Sequence, residues 1–372
     1  MAISRQHEYY EKKIEEIMKI MPPYVVDYLD SKMDYRSSLT LFNYARDFQV
    51  FFEWLQSEGI SKTKVIKEID TETLANLTLK EAEGFFKALS RKTYLVSKKT
   101  KERKKIDPKT VNRMKSSLRS LFRYLTIEAE NPKTPGEPYF HRNVMQKIQV
   151  TKVKETLNER AKKITEKIFI GDSDVQFLDY VQYEYELSLS PTQLRYYKRD
   201  KERDYAILSL FLGSGIRVNE LANIRIKDVD FTGMEISVIR KGNKKDTVSI
   251  IPDSMDDLKA FLEVRTERYK AADDPNEFVF IRKGSNGTSP LTNRAIGSIV
   301  EKYTKSFDKR MSPHKLRHTY ATNLAEQTGD IPLVMNQLGH TSSETSLLYI
   351  NTTREKARKA AEMLGQRRKN KS

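Results

Sequence analysis

Apolar residues recur at helical spacing through the first third of the chain. In LTLFNYARDFQVFFEWLQSEG they fall three or four positions apart from Leu41 to Leu55, which predicts an amphipathic helix with a strongly aromatic buried face. Residues 6–21 predict an earlier helix, and two more helices follow. We therefore expect residues 1–128 to form a small all-α domain.

Helix-start signals mark two of these helices. Thr78 and Glu81 have the spacing of a capping box ahead of an apolar helical face. Asp107 is an N-cap residue, and Pro108 suits the first helical position because its missing N–H would be unpaired there in any case. Both helices are expected to begin at these points.

The pattern changes at the Pro-rich stretch ENPKTPGEP, which predicts a domain boundary between Glu130 and Pro138. We assign residues 129–200 to a linker and the start of a second domain, and residues 201–352 to the main part of that domain. Residues 353–372 are assigned to a C-terminal helix with a basic tail.

The second domain mixes helices with short strands. A helix is predicted from Glu202 to Leu212, and helices resume from about Thr292. Between them, MEISVIRKGNKKDTVSII alternates on both sides of Gly242 and Asn243, which is typical of a β-hairpin, and EFVFI is a third strand candidate. The predicted fold class is mainly α with a small antiparallel β-sheet.

Composition narrows the possible functions. The 372 residues include 67 Lys and Arg against 51 Asp and Glu, a formal net charge of +16, so a polyanion is the natural partner. The absence of cysteine excludes disulfides, thiolate zinc sites and a cysteine nucleophile. No apolar stretch approaches the roughly 20 residues of a bilayer span, so we predict a soluble cytoplasmic protein without membrane insertion.

The positive charge is concentrated between residues 91 and 119, which include twelve cations and only two acids. A solvated loop and helix face would explain such a run. However, the run leads into a helix and continues along its polar side, which favours a surface that follows DNA phosphates. The residues assigned to DNA binding are Lys98, Lys99, Lys101, Arg103, Lys104, Lys105, Lys109, Arg113, Lys115 and Arg119.

Several motifs of the second domain contain residues that suit an anion. His314 and Arg317 share a face at the start of a predicted helix, where backbone donors also favour a phosphate. A Gly-flanked turn, LGSGIRVNEL, places Arg217 three residues before Glu220, an arrangement that by itself equally describes a surface ion pair. The turn RKGNKK, the helix end QLGH and a tyrosine in the last third are individually unremarkable.

The order and spacing of these pieces resemble the tyrosine recombinase (phage integrase) family. An arginine is followed by a hairpin lysine, an HxxR motif, a histidine and, nine residues later, a tyrosine. The resemblance assigns the catalytic positions to Arg217, Lys241, His314, Arg317, His340 and Tyr349, and the supporting acidic position to Glu220. It implies an all-α SAM-like core-binding domain followed by an α+β tyrosine recombinase catalytic domain. GEPYFHRNVMQKI, ETLNERA, IFIGD and KERD are similar to the single-chain Xer branch of the family.

The reaction of that family explains these residue types. Arg217 and Arg317 are planar, permanently charged donors that suit the growing negative charge of a phosphodiester transition state. By resemblance, Tyr349 is the nucleophile and forms a 3′-phosphotyrosyl link without metal, cofactor or ATP. Lys241 is assigned to donate a proton to the 5′ oxygen, and His314 to accept the proton of the tyrosine. His340 is assigned to hydrogen-bond the phosphate.

The resemblance also implies partners. These are a double-stranded DNA recombination site, a homotetramer on two such sites and, for the Xer branch, the DNA translocase FtsK in resolving chromosome dimers. The small apolar stripe of the last helix, from Ala357 to Leu364, is expected to dock on a neighbouring protomer or on its own domain.

Three other functions stay open. An integrase or excisionase of a mobile element uses the same residues. A type IB topoisomerase uses the same chemistry without a synaptic assembly, and the terminal helix argues against it. A non-catalytic DNA-binding protein would have the same charge, and the six-residue catalytic set is what argues against it.

Overall fold

The computed structural model describes residues 5–95, 102–150, 156–240, 244–271, 277–284, 287–339 and residue 362. The predicted site residues Lys241, His340 and Tyr349 lie outside the described residues, as do Lys98, Lys99, Lys101 and, apart from Glu362, the predicted C-terminal helix. The chain divides into two compact units, Met1–Val153 and Lys154–Ser372.

The first unit is mostly helical and carries a short antiparallel hairpin. Its helices are α1 (Arg5–Met18), α2 (Pro23–Lys32), α3 (Ser38–Ser57), α4 (Thr71–Ala75), α5 (Leu79–Arg91) and α6 (Pro108–Arg123), and its strands are β1 (Thr93–Leu95) and β2 (Arg103–Lys105). Short 3₁₀ segments span Ile66–Glu68 and Val144–Lys147, and α6 continues as a π-helical turn over Tyr124–Glu128.

The aromatic face of α3 is central to the core of this unit. Phe51 is fully buried and meets Phe85 of α5 edge to face, with ring centroids 5.1 Å apart. The predicted helix starts are confirmed. The Thr78 hydroxyl accepts a hydrogen bond from the N–H of Glu81, and the Asp107 side chain caps α6.

The Pro-rich stretch does not end the core of the first unit. Phe140, Val144, Met145 and Ile148 lie beyond it and are buried in the same cluster as the residues of α3, α5 and α6. The sequence assigned this segment to the linker. Proline and glycine mark a local turn here, and the hydrophobic side chains that follow the turn pack back onto the helices.

The second unit contains eight helices and two small sheets among its described residues. The helices are α7 (Leu157–Thr165), α8 (Ser173–Asp179), α9 (Pro191–Ser214), α10 (Val218–Ala222), α11 (Pro252–Tyr269), α12 (Asn293–Phe307), α13 (Pro313–Thr328) and α14 (Ile331–Leu338). The strands are β3 (Val229–Asp230), β4 (Glu235–Arg240), β5 (Lys244–Ser249), β6 (Ile281–Gly284) and β7 (Gly287–Pro290). Shorter helical segments span Tyr180–Glu184, Tyr185–Ser188 and Ile226–Asp228.

The predicted β-hairpin is confirmed. Strand β4 pairs antiparallel with β5, so that Arg240 lies opposite Lys244, and β3 completes a three-stranded sheet. Helix α9 is longer than predicted, and its residues 206–212 are buried on all sides in the core. The predicted fold class, mainly α with small antiparallel sheets, is confirmed.

The segment EFVFI was predicted to be a strand, and that prediction is wrong for most of its length. Strand β6 begins only at Ile281, its last residue, while Phe278 makes an isolated bridge to Arg225. The buried guanidinium of Arg265 donates to the carbonyl oxygens of Phe278 and Val279, each at 3.1 Å from Nε. A side chain thus pairs with backbone groups that a neighbouring strand would otherwise satisfy.

Candidate active site

Arg217 is held at the start of a helix by Glu220. Helix α9 ends at Ser214 and is capped by Gly215, whose φ of +64° lies in the left-handed region that favours glycine. The turn places Arg217 at the N-cap of α10. The carboxylate of Glu220, only 3% exposed, accepts from both the backbone N–H and Nη1 of Arg217, each at 2.9 Å. This buried acid orients the guanidinium, whose side chain is 37% exposed.

Arg317 projects from α13 and is almost fully buried, with 4% of its surface exposed. Its Nη1 donates to the carbonyl oxygen of Gly215 and its Nη2 to that of Leu338. Both carbonyls terminate helices, where no following turn supplies an N–H partner. Arg317 therefore joins the ends of α9 and α14.

The C-terminal end of α14 collects three arginines. Four consecutive carbonyl oxygens at this end accept from a guanidinium, whose positive charge also suits the negative end of the helix dipole. The pairs are Arg240 with Asn336 (3.5 Å) and Gln337 (3.0 Å), Arg317 with Leu338, and Arg217 with Gly339 (3.0 Å).

His314 lies one helical turn before Arg317, at the start of α13, and its ring meets that of His318 edge to face at 4.3 Å between centroids. Desolvation by the surrounding protein lowers the pKa of His314, and the positive charges of Arg317, Lys315 and Arg217 add to the effect. A lowered pKa keeps the imidazole neutral near pH 7, so that it can accept a proton.

The structure thus brings together four of the seven predicted catalytic and supporting residues: Arg217, Glu220, His314 and Arg317. Two further residues, Arg240 and Gln337, were not predicted. The side chain of Gln337 donates to the carbonyl oxygens of Ser214 (3.1 Å) and Ser249 (2.6 Å) and so ties α14 to α9 and β5. No sequence signal distinguished Arg240 from the other cations of its basic turn.

The described cations of the predicted DNA-binding tract differ in their surroundings. Arg103, Lys104 and Lys105 are exposed on β2, Lys109 is exposed at the start of α6, and Arg119 is partly exposed. Lys115, by contrast, donates from Nζ to the carbonyl oxygen of Gln149 at 2.8 Å. The tract is therefore divided between solvent-facing and internally paired side chains.

Arg113 is the clearest internally paired member of the tract. Its Nη1 lies 2.7 Å from Oδ2 of Asp47, a carboxylate only 3% exposed that also accepts from the Ser117 hydroxyl at 2.9 Å. Burial raises the pKa of Asp47 to about 6, against the opposing effect of Arg113. The Arg113 guanidinium therefore serves a buried acid of its own domain.

The described residues contain neither a grouped set of metal ligands nor a membrane-spanning helix. Within the described ranges, no three His, Cys, Asp or Glu side chains are grouped so that they would hold a metal ion. No helix in the same ranges is long and apolar enough to cross a bilayer.

Known proteins similar to this chain place it in a family. Residues 185–356 match the phage integrase family. Tyrosine recombinase XerS of Streptococcus equi subsp. zooepidemicus (strain MGCS10565) is 42% identical over 357 residues, which cover 95% of this chain and 98% of that protein. Tyrosine recombinase XerS of Streptococcus pyogenes serotype M2 (strain MGAS10270) is 41% identical over 354 residues, with 95% and 98% covered.

Solved structures share the fold. The XerH site-specific recombinase bound to palindromic difH substrate aligns with a TM-score of 0.63 and 18% identity, covering 88% of this chain and 81% of that one. A lambda integrase (75–356) dimer bound to a COC′ core site aligns with a TM-score of 0.56 and 14% identity, covering 89% and 95%.

The described part of the site is arginine-rich, with Arg217 and Arg317 held side by side at the ends of α9 and α14. The chain belongs to the phage integrase family of tyrosine recombinases. The predicted resemblance to the Xer branch is confirmed by the similarity to XerS proteins over 95% of the chain, and so is the predicted class of site-specific recombinase.

Proposed function

We propose that this protein cuts and rejoins two double-stranded DNA sites through a 3′-phosphotyrosyl intermediate, and that it thereby resolves chromosome dimers. The fixed pair of Arg217 and Arg317 carries the proposal, because both guanidiniums are oriented by protein contacts before any DNA arrives. Similarity to XerS proteins along nearly the whole chain supports the chromosomal role.

The proposed reaction begins when the Tyr349 oxygen attacks the scissile phosphorus. The phenolic proton passes to His314, whose lowered pKa keeps it neutral and able to accept. The bond from phosphorus to the 5′ oxygen breaks, and Lys241 protonates that oxygen. The 5′-OH of a partner strand then attacks the phosphotyrosyl bond and releases the tyrosine, so the reaction needs no ATP.

In this scheme the arginines stabilise the charge that grows on the nonbridging oxygens. Glu220 and Gly339 engage two of the five N–H groups of Arg217, and the 37% exposure of its side chain lets a phosphate oxygen reach the guanidinium. His340 would add a hydrogen bond to the same phosphate. Glu220 acts by orienting Arg217.

The proposed assembly is a homotetramer on two DNA sites in the cytoplasm, activated by the DNA translocase FtsK. The exposed cations of β2, namely Arg103, Lys104 and Lys105, would contact the DNA backbone. Integration or excision of a mobile element uses the same chemistry, and the genomic position of the DNA site separates the two roles. A site present once per chromosome favours dimer resolution, whereas a site at the ends of an element favours integration.

The test uses a duplex that the protein selects from fragments of its host chromosome, nicked near the cleavage position so that the cut strand is lost. The wild type should form a covalent protein–DNA adduct. The Tyr349→Phe variant should form none yet bind the duplex within about twofold of wild type, because only the nucleophilic oxygen is removed. Tyr183→Phe, at an exposed tyrosine of the same unit, is the matched control. An adduct in the Tyr349→Phe variant would contradict the proposal, and the absence of one from the wild type would favour a non-catalytic DNA-binding protein.

A further inference from the structure

We propose that Arg240 is a positioning residue of the recombination reaction, one that anchors the last residue pair of the β4–β5 hairpin, Arg240 and Lys244, to the end of α14. The inference rests on the proposed function, since Lys241 directly follows Arg240 in the chain and His340 directly follows Gly339. Each contact that carries it lies in a described part of the second unit.

Arg240 joins two elements that are far apart in the sequence. From the last position of β4, its Nη2 donates to the carbonyl oxygen of Gln337 at 3.0 Å, and its Nη1 approaches that of Asn336 at 3.5 Å. Its side chain is only 8% exposed. A planar guanidinium can contact two successive carbonyls of a helix end, whereas a lysine would supply a single point charge.

The backbone at Gly339 leaves room for this guanidinium. Gly339 has a φ of +57°, and a Cβ added there would lie 1.2 Å from Nη1 of Arg240. Glycine is therefore needed twice at this position, once for the left-handed backbone and once for the space that Arg240 occupies.

A carboxylate on the neighbouring strand forms an ion pair with Arg240. Asp246 lies opposite Val238 on β5, diagonal to Arg240 on the same face of the sheet, and its Oδ2 is 2.8 Å from Nε of Arg240. Asp246 thus pairs with the Nε edge of the guanidinium by charge alone, without hydrogen-bond geometry, while Nη2 donates to α14.

The position of this contact indicates a role in the reaction. Gln337 already ties α14 to β5 through the carbonyl of Ser249, near the base of the hairpin. Arg240 adds a second tie at the opposite end of the strands, next to the proposed proton donor. Arg217 binds the carbonyl of Gly339 at the same helix end. Arg217 and Arg317 together form the proposed arginine clamp on the phosphate, so Arg240 links the last pair of the hairpin to this clamp.

The proposal predicts a defect in proton donation to the leaving group. Arg240→Met should slow cleavage of an ordinary phosphodiester about 100-fold, the scale of a misplaced catalytic group. The test compares this substrate with one that carries a 5′-bridging sulfur at the scissile bond. A thiolate is a stable leaving group, with a thiol pKa near ~8.5, and leaves without a proton. On that substrate the Arg240→Met defect should shrink to less than about 10-fold, since general acid catalysis is no longer required.

Four further variants serve as comparisons and controls for Arg240→Met. Lys241→Ala should show the same recovery on the sulfur substrate, and Arg240→Met in the Lys241→Ala background should add little further loss. Gly339→Ala should lose more activity than Arg240→Met and recover less on the sulfur substrate, because its Cβ displaces the Arg240 guanidinium and strains the backbone whose carbonyl accepts from Arg217. Arg282→Met, at an exposed arginine that bonds Ser289 within its own hairpin, should cleave both substrates normally.

The outcomes separate this inference from the proposed function. If Lys241→Ala recovers and Arg240→Met loses activity equally on both substrates, Arg240 is merely structural and the inference is overturned. Unchanged cleavage by Arg240→Met overturns it as well. If neither variant recovers, the assignment of Lys241 as proton donor fails together with the inference, while adduct formation through Tyr349 still stands.

Discussion

The two units of this protein use their cations in opposite ways. In the second unit, Arg217 and Arg317 are fixed against a buried carboxylate and the carbonyl oxygens of helix ends. In the first unit, the cations of β2 are exposed and make only surface contacts, of Arg103 with Thr93 and of Lys104 with Glu102. Transition-state stabilisation requires donors that are oriented in advance, whereas contact with a DNA backbone requires mainly charge density. We therefore expect cations held by protein contacts to serve the reaction or, like Arg113, their own fold, and exposed cations to contact the DNA.

The largest effect is expected in the clamp. Arg317→Lys keeps the positive charge but loses the planar pair of donors that reaches Gly215 and Leu338, so cleavage should fall about 100-fold or more. Single-turnover cleavage of the nicked duplex measures it. Arg310→Lys, at an exposed arginine paired with Glu301, is the control and should cleave normally. Near-normal cleavage by the Arg317→Lys variant would show that Arg317 does not stabilise the transition state, and the difference between the two units would no longer hold.

The next prediction concerns the exposed cations of the first unit. Changing Arg103, Lys104 and Lys105 together to Gln should weaken binding to all DNA sequences alike. The slope of log affinity against log salt concentration should become shallower by up to about 2.7, because each neutralised phosphate contributes about 0.9 to that slope. Binding titrations over a range of salt measure the slope. The same change at Lys62, Lys64 and Lys67 removes equal charge from the same unit and is the control. Equal slopes in the two triple variants would mean that the β2 cations are solvated and do not contact DNA phosphates.

Within the predicted DNA-binding tract, Arg113 is expected to stabilise the fold and not to bind DNA. Arg113→Gln should lower the stability of the first unit by about 1 to 3 kcal/mol, because the buried Asp47 carboxylate loses a charged donor and keeps the Ser117 hydroxyl. Thermal melting of the variant measures the loss, and Lys109→Gln on the exposed start of α6 should melt like wild type. A variant that loses DNA affinity at an unchanged melting temperature would place Arg113 among the phosphate contacts instead.

The smallest expected effect is on the titration of His314. Lys315 is one of the charges that lower the pKa of His314, so Lys315→Gln should raise that pKa. A proton acceptor works only when neutral, and cleavage is lost as pH falls through its pKa; the acid limb of the pH–rate profile should therefore move to higher pH. NMR titration of the imidazole together with the profile checks both. Lys309→Gln, whose exposed side chain neighbours Asp308, should leave the limb in place. A downward shift in the Lys315→Gln variant would refute the electrostatic explanation.

Local features were the part of the fold that could be predicted from the sequence. The capping pair of Thr78 and Glu81, the buried face of α3 and the hairpin of β4 and β5 each depend on residues close together in the chain. The order of arginine, HxxR and tyrosine was equally visible, because the motif is defined by spacing along the chain. These signals were sufficient to predict the fold class and the family.

Contacts between residues far apart in the sequence became known only from the folded structure. The first core continues past the Pro-rich turn because Phe140 and its neighbours pack back onto it, and EFVFI is mostly not a strand because Arg265 pairs with its carbonyls. Arg113 was indistinguishable in the sequence from the exposed cations around it until its buried partner Asp47 was known.

From the sequence alone one could tell which residue types occupy the motif positions of the family, and in what order. The sequence did not determine how they are held. Arg217 binds a carbonyl 122 positions away at Gly339, and Arg317 binds one 102 positions away at Gly215. The acceptors in both cases are backbone oxygens, which every residue possesses and which no sequence pattern marks. Only the folded chain, by ending α9 and α14 at the same place, turns those oxygens into the support of the arginine clamp.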